Sequence, residues 1–138
     1  MAEWAFVALG SNLGNRSAHL AFARERLGAL PDTTLVAASA IEETAPLGPV
    51  AQGPYLNQMV LLSTELPPRE LLEACAAIER SAGRERAVRW GPRTLDLDLV
   101  CYGHLAIAEP QLVVPHPELP RRPFWQRELA ELMPHAER

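Results

Sequence analysis

From Leu95 to Leu99 the chain alternates apolar and acidic residues, Leu-Asp-Leu-Asp-Leu, with Val100 next. A strand satisfies that pattern, because its side chains point to opposite faces in turn; a helix would scatter the same residues around its circumference. Leu95, Leu97 and Leu99 therefore face a core, and Asp96 and Asp98 share the other side, about 7 Å apart at two strand rises. Aspartate is depleted in strands, and these are two of only three in the chain. Their placement needs a chemical reason.

The rest of the chain supplies partners for such a strand. Trp4–Leu9 reads as a first buried strand, followed by a glycine-containing turn over 10–15 and a helical pattern from Arg16 to Leu30. Pro31-Asp32 breaks that helix, and Thr33–Glu42 reads as a second strand. A loop with three prolines and two glycines spans 45–54, and Tyr55–Thr64 is a third strand. Pro67-Pro68 opens a second helix, since proline fits the first turn, and Gly83 closes it. Thr94–Tyr102 is the fourth strand. The order βαββαβ predicts a ferredoxin-like α+β sandwich, an antiparallel sheet with both helices on one face. A short C-terminal extension follows, with an apolar piece at Leu112–Val114 and a terminal helix near Phe124–Met133. No linker divides the 138 residues, which read as one domain.

Composition narrows the function. A net charge of −4 argues against a general nucleic-acid binder. All thirteen basic residues are arginine, so neither a Walker-A phosphate loop nor Schiff-base chemistry is available, each needing a lysine. No apolar run reaches the roughly 20 residues of a membrane span, and the first residues lack signal-peptide character. A cytoplasmic protein with Cys75 and Cys101 reduced and structural is the expectation.

Five arginines, Arg80, Arg84, Arg86, Arg89 and Arg93, crowd into the segment just before the Asp96/Asp98 strand. Guanidinium forks take phosphate oxygens in pairs, and carboxylate oxygens hold hard cations. Mg²⁺ and a nucleotide polyphosphate fit that combination. The bland alternative is a solvated strand face beside a helix end whose dipole favours cations. It extends to Arg80 and Arg84 but not to Arg86, Arg89 and Arg93, like charges packed into a glycine-containing loop. Trp90, within that loop, reads either as part of a lid over a flat ligand or as a ring docked on the core.

Other signals are weaker. Gly10 and Gly14 do not have dinucleotide-binding spacing; the segment is either a plain strand-to-helix turn or a turn whose Asn12 lines a pocket. Thr44–Gly48 with Tyr55 and Asn57 offers stacking and amide contacts for a planar heterocycle, or simply a core ring and a turn amide. His116, between two prolines and close to Arg121, Arg122 and Phe124, can meet a phosphate or serve structure alone.

Taken together the strings ALGSNLGNR, ETAPLGP with YLNQMV, IERSAGRERAVRWGPRTLDLDLV and VPHPELPRR with its Phe resemble the 6-hydroxymethyl-7,8-dihydropterin pyrophosphokinase family of folate biosynthesis. They occur in family order from about residue 5 to 124, and RWGPRTLDLDL is the specific one. The resemblance implies transfer of pyrophosphate from ATP to the pterin hydroxymethyl group, giving the pterin diphosphate and AMP. It implies two Mg²⁺ on Asp96 and Asp98. It further implies triphosphate contacts from Arg84 and Arg93, with Arg86 and Arg89 as further candidates, and from His116 and Arg122. Glu79 resembles the family's nucleotide-side acid. Tyr55 and Phe124 would sandwich the pterin, Asn57 would bond its edge, Thr44 and Leu47 would offer backbone groups, and Trp90 would close over the substrates. After Phe124 the family continues with an apolar stretch, whereas this chain has the mixed Trp125-Gln-Arg-Glu128. Two competing readings are a non-catalytic ferredoxin-like ligand- or RNA-binding module and a DxD-type nucleotidyl- or glycosyltransferase.

Overall fold

The computed structural model describes residues 1–46, 52–83 and 94–136. Strands β1 (Glu3–Ser11), β2 (Thr33–Ala38), β3 (Glu42–Thr44), β4 (Tyr55–Thr64) and β5 (Asp96–Tyr102) form one sheet. Its order is β2-β4-β1-β5, with β3 also on β4, and every pairing is antiparallel. Helix α1 (Arg16–Gly28) follows β1 and α2 (Pro68–Ser81) follows β4. The Asn15 side chain caps α1 by accepting from the Ala18 N–H. Pro68 opens α2, and Gly83 beyond its end has φ +81°, where glycine meets no Cβ penalty.

Alternation along the central strands builds two cores. Ala5, Val7 and Leu9 of β1, Val60 and Leu62 of β4, and Leu97 and Leu99 of β5 meet Leu20, Ala23 and Leu27 of α1 and Leu71, Cys75 and Ile78 of α2. The leucine face expected of residues 95–99 is buried there, at 0–5% exposure. Cys75 is a free thiol inside this core, its pKa pushed up to about 12 by burial, then by Glu79 and Asp98.

The expected α+β sandwich is observed, with three refinements. Phe6, Ala8, Met59, Leu61 and Val100 on the opposite face are covered by α3 (Pro123–Ala136) through Trp125 and Leu132. The C-terminal segment is therefore a second helical layer rather than an appendage: α1 and α2 share one face, and α3 takes the other. Second, the single strand expected over 33–42 divides. Its register slips between Leu35 and Ala37, and Ser39 turns inward, its hydroxyl accepting from the Met59 N–H at 2.9 Å. The chain leaves β2 there, and Glu131 of α3 accepts from the Ala40 N–H. Third, the apolar piece at Leu112–Val114 is β7, which pairs with β6 (Ile107–Glu109) as a hairpin beside the β5 edge.

Candidate active site

β1 ends, and β4 and β5 begin, at the same end of the sheet. Residues directly opposite in an antiparallel pair share a face. Gly10 pairs with Asn57 on one side and Asp96 on the other, so these three form a row on the α3 face. The next row is Met59, Ala8 and Asp98. Both carboxylates thus stand on one face, as the alternation required, next to an amide and across a position with no side chain. The first strand was expected to end at Leu9; it continues through Gly10 and Ser11, which makes this row possible.

Gly10 is a residue the sequence reading assigned only to a turn. A Cβ there would stand 3.4 Å from the Tyr55 ring and 3.5 Å from Asn57 Oδ1. The Tyr55 ring therefore lies over a bare patch of backbone. Asn57 is held by its Nδ2 donating to Thr44 Oγ1 at 2.5 Å, which turns its carbonyl oxygen toward that patch. Thr44 pairs with Tyr55 across β3 and β4. Phe124, at the start of α3, packs half-buried on the same face. Tyr55, Asn57, Thr44 and Phe124 are thus brought to one side of the sheet.

Asn12 donates to Gln52 Oε1 at 2.6 Å and to the Gly53 carbonyl at 3.1 Å. Arg16 Nη1 donates to Glu43 Oε2 at 2.9 Å and to the Pro54 carbonyl at 3.0 Å. Together they fasten the limb leading into Tyr55. In these bonds Asn12 acts as a clamp on that limb.

On the β5 side His116 faces Asp98, with Nε2 3.7 Å from Oδ1, an ion-pair distance but too long for a hydrogen bond. Its Nδ1 accepts from the Glu118 N–H at 3.0 Å, so the neutral ring keeps its proton on Nε2, toward the carboxylate. The His116 N–H donates to the Val100 carbonyl at 2.8 Å, tying it to β5. Arg122 stacks on Trp125, its Cζ 4.5 Å from the ring centre. Glu79 reaches from α2 and accepts from the Leu97 N–H at 2.7 Å, gripping the backbone between the two aspartates. Leu47, Arg84, Arg86, Arg89, Trp90 and Arg93, all expected at the site, lie outside the described residues.

A cavity of about 250 Å³ opens beside Asp98 and His116. Its apolar walls are Leu72 of α2, Leu97 and Leu99 of β5, and Leu112 and Val113 of the hairpin. No group of three or more metal-ligating side chains occurs among the described residues. Two carboxylates with 37% of the Asp98 side chain exposed nevertheless fit Mg²⁺, which binds proteins through one or two carboxylates and completes its shell with water and phosphate.

Paired carboxylates at a strand start, with a cleft on one side and an aromatic-amide patch on the other, are an arrangement suited to a nucleotide-dependent phosphotransferase. The 7,8-dihydro-6-hydroxymethylpterin-pyrophosphokinase family matches residues 6–134. The chain is 43% identical over 130 residues to a 2-amino-4-hydroxy-6-hydroxymethyldihydropteridine pyrophosphokinase of Methylorubrum extorquens, covering 94% of this chain and 82% of the relative. Proteins of the same name from Pseudomonas aeruginosa and Bacillus subtilis are each 42% identical, over 97% and 100% of this chain and 83% of each relative. The chain belongs to this pyrophosphokinase family. No helix among the described residues is long and apolar enough to cross a membrane.

Proposed function

We propose that the end of the sheet where β5 begins divides the family reaction between two pockets, the patch on the α3 face and the cleft at the β5 edge beside α2, with Asp96 and Asp98 at their boundary. The enzyme is an ATP-dependent pyrophosphokinase that transfers pyrophosphate from ATP to 6-hydroxymethyl-7,8-dihydropterin, in folate biosynthesis. The cleft walled by Leu72, Leu99 and Val113 takes the nucleoside, because it is apolar and opens onto His116 and Asp98. The bare Gly10 patch takes the flat pterin, with Tyr55 and Phe124 offering ring faces and Asn57 Oδ1 an acceptor for its N–H edge. Asp96 lies opposite Gly10, so the hydroxymethyl arm reaches the carboxylate pair from the patch.

The pterin hydroxyl attacks the β-phosphorus, the bond to the α-phosphate oxygen breaks, and AMP departs while the hydroxyl proton is lost. Such transfers are served by positioning and charge stabilisation rather than by covalent intermediates. Asp96 and Asp98 would hold two Mg²⁺, which supply charge neutralisation at the attacking and leaving oxygens. His116 keeps its Nε2 proton toward Asp98, available to a phosphate oxygen at the same point. Glu79 fixes the strand so that both carboxylates keep one orientation. Arg122, and among residues outside the described set Arg84, Arg86, Arg89 and Arg93, supply guanidinium groups for the triphosphate, with Trp90 and Leu47 completing the pterin side. No nucleic-acid or membrane partner enters this reading.

The observation that carries it is the row Asn57–Gly10–Asp96, which sets an amide, a bare stretch of backbone and a carboxylate side by side on one face. Product analysis tests it. Incubating enzyme, Mg²⁺, ATP and the hydroxymethyl pterin should give AMP and pterin diphosphate in equal amounts. ADP as the nucleotide product would overturn the attack at the β-phosphorus, and AMP formed without pterin consumption would overturn the assignment of the acceptor.

A further inference from the structure

Trp125 is 2% exposed and among the largest buried side chains of the protein. Its indole does more than fill the core beneath α3. The Arg122 guanidinium sits over one face at 4.5 Å, and the His116 ring meets the indole nearly perpendicular, at 89° and 5.0 Å between centres. His116 faces Asp98, and the two residues that meet the indole are held very differently. His116 has two backbone partners, at the Val100 carbonyl and the Glu118 N–H. Among the described residues Arg122 has a long ion pair with Glu118, at 3.9 Å, and no hydrogen bond at its buried Nε.

The Arg122 guanidinium is therefore supported by the indole rather than by a hydrogen bond at its Nε. We propose that Trp125 is a positioning residue for ATP, holding Arg122 flat so that its N–H edges meet the triphosphate as a fork. The proposal rests on the reading of Arg122 as a phosphate contact. A stacked guanidinium keeps its donors in one plane, the geometry that two phosphate oxygens accept. An aliphatic side chain of similar bulk would fill the core but leave the cation to sample rotamers, and ordering it would then oppose binding.

The test is a double-mutant cycle read by titration with α,β-methylene ATP and Mg²⁺, with pterin KM measured in parallel. Trp125→Leu should weaken nucleotide binding about tenfold, the scale of a desolvated cation–π contact. Trp125→Phe, which keeps an aromatic face and most of the core volume, should weaken it about threefold. Pterin KM should stay within about twofold in both. Combined with Arg122→Ala, either substitution should add nothing to the loss from Arg122→Ala alone. Additive losses, or pterin KM rising in step with the nucleotide constant, would show a purely structural tryptophan and overturn the proposal. If Arg122→Ala itself leaves nucleotide binding unchanged, the phosphate reading of Arg122 fails and the proposal with it. Should Trp125→Leu not fold, the Trp125→Phe arm of the cycle decides.

Discussion

The two faces of the sheet are built from the same strands and obey different rules. Toward α1 and α2, strands β1, β4 and β5 present a mainly apolar surface that includes Ala5, Val7, Leu9, Val60, Leu62, Leu97 and Leu99. Toward α3, the surface is apolar only over Phe6, Ala8, Met59, Leu61 and Val100, then becomes Gly10, Asn57, Asp96 and Asp98 at one end. Period-two alternation lets a single strand carry both demands, so the carboxylates are anchored by leucines one residue away. On β5 the carboxylates take one face and the leucines that anchor the strand take the other.

That separation can be broken by substitution. The largest effect should come from Asp98→Ala or Asp96→Ala. Steady-state turnover should fall on the order of 10³-fold or more, as loss of an electrostatic contact to a phosphoryl transition state predicts. Thermal unfolding should move little, since Asp98 is part-exposed. Comparable turnover in these variants would place the chemistry elsewhere. On the other face, Leu62→Ala removes a side chain with 0% exposure and should cost about 2–5 kcal/mol in denaturant unfolding. At low temperature its kcat should remain near that of the parent.

A smaller effect sharpens the contrast within the α3 face. Glu128 lies at 2% exposure, and neither of its carboxylate oxygens has a hydrogen-bond partner among the described residues. Burial pushes its pKa up to about 8, with Glu42 and then Glu131 raising it and Arg127 opposing. The folded value lies above the ordinary 4.5, so the folded state binds this proton more tightly than the unfolded chain does. Its contribution to stability is complete below about pH 4.5 and is lost as pH rises through about 8. Glu128→Gln should flatten that slope and stabilise the protein at pH 8 by a few kcal/mol, order of magnitude only. Unfolding curves at pH 6 and pH 8 measure it; an unchanged slope would mean the carboxyl finds a partner.

The smallest effect is expected at the limb entering Tyr55. Arg16→Gln removes a half-exposed ion pair to Glu43 and the bond to the Pro54 carbonyl. Stability should change by under about 1 kcal/mol. Pterin KM should rise about threefold with kcat held, the signature of lost uniform binding. A fall in kcat alone would contradict a clamp that acts only on the pterin side.

Much of this was readable in the chain because the relevant signals are local. The Leu/Asp alternation declares a strand and its two faces, and Pro67-Pro68 and Gly83 bracket a helix on their own. What escaped depends on contacts distant in sequence. The division of β2 from β3 follows from Ser39 bonding to Met59 and Glu131 reaching Ala40. The α3 layer was hidden because Glu128 occupies its buried stripe between Trp125 and Leu132 and spoils the apolar period. Gly10 carries no chemical group, and its meaning appears only when the register sets it between Asn57 and Asp96. Trp125 was visible as a residue, but His116 and Arg122 become its neighbours only through the fold.

The most direct measurement is calorimetric titration of the wild-type protein and Asp96→Ala with α,β-methylene ATP, with and without Mg²⁺. Wild type should bind far more tightly with the ion present, and the variant should lose most of that dependence while remaining folded. Equal Mg²⁺ dependence in both proteins would contradict a metal-holding role for the carboxylate at the start of β5.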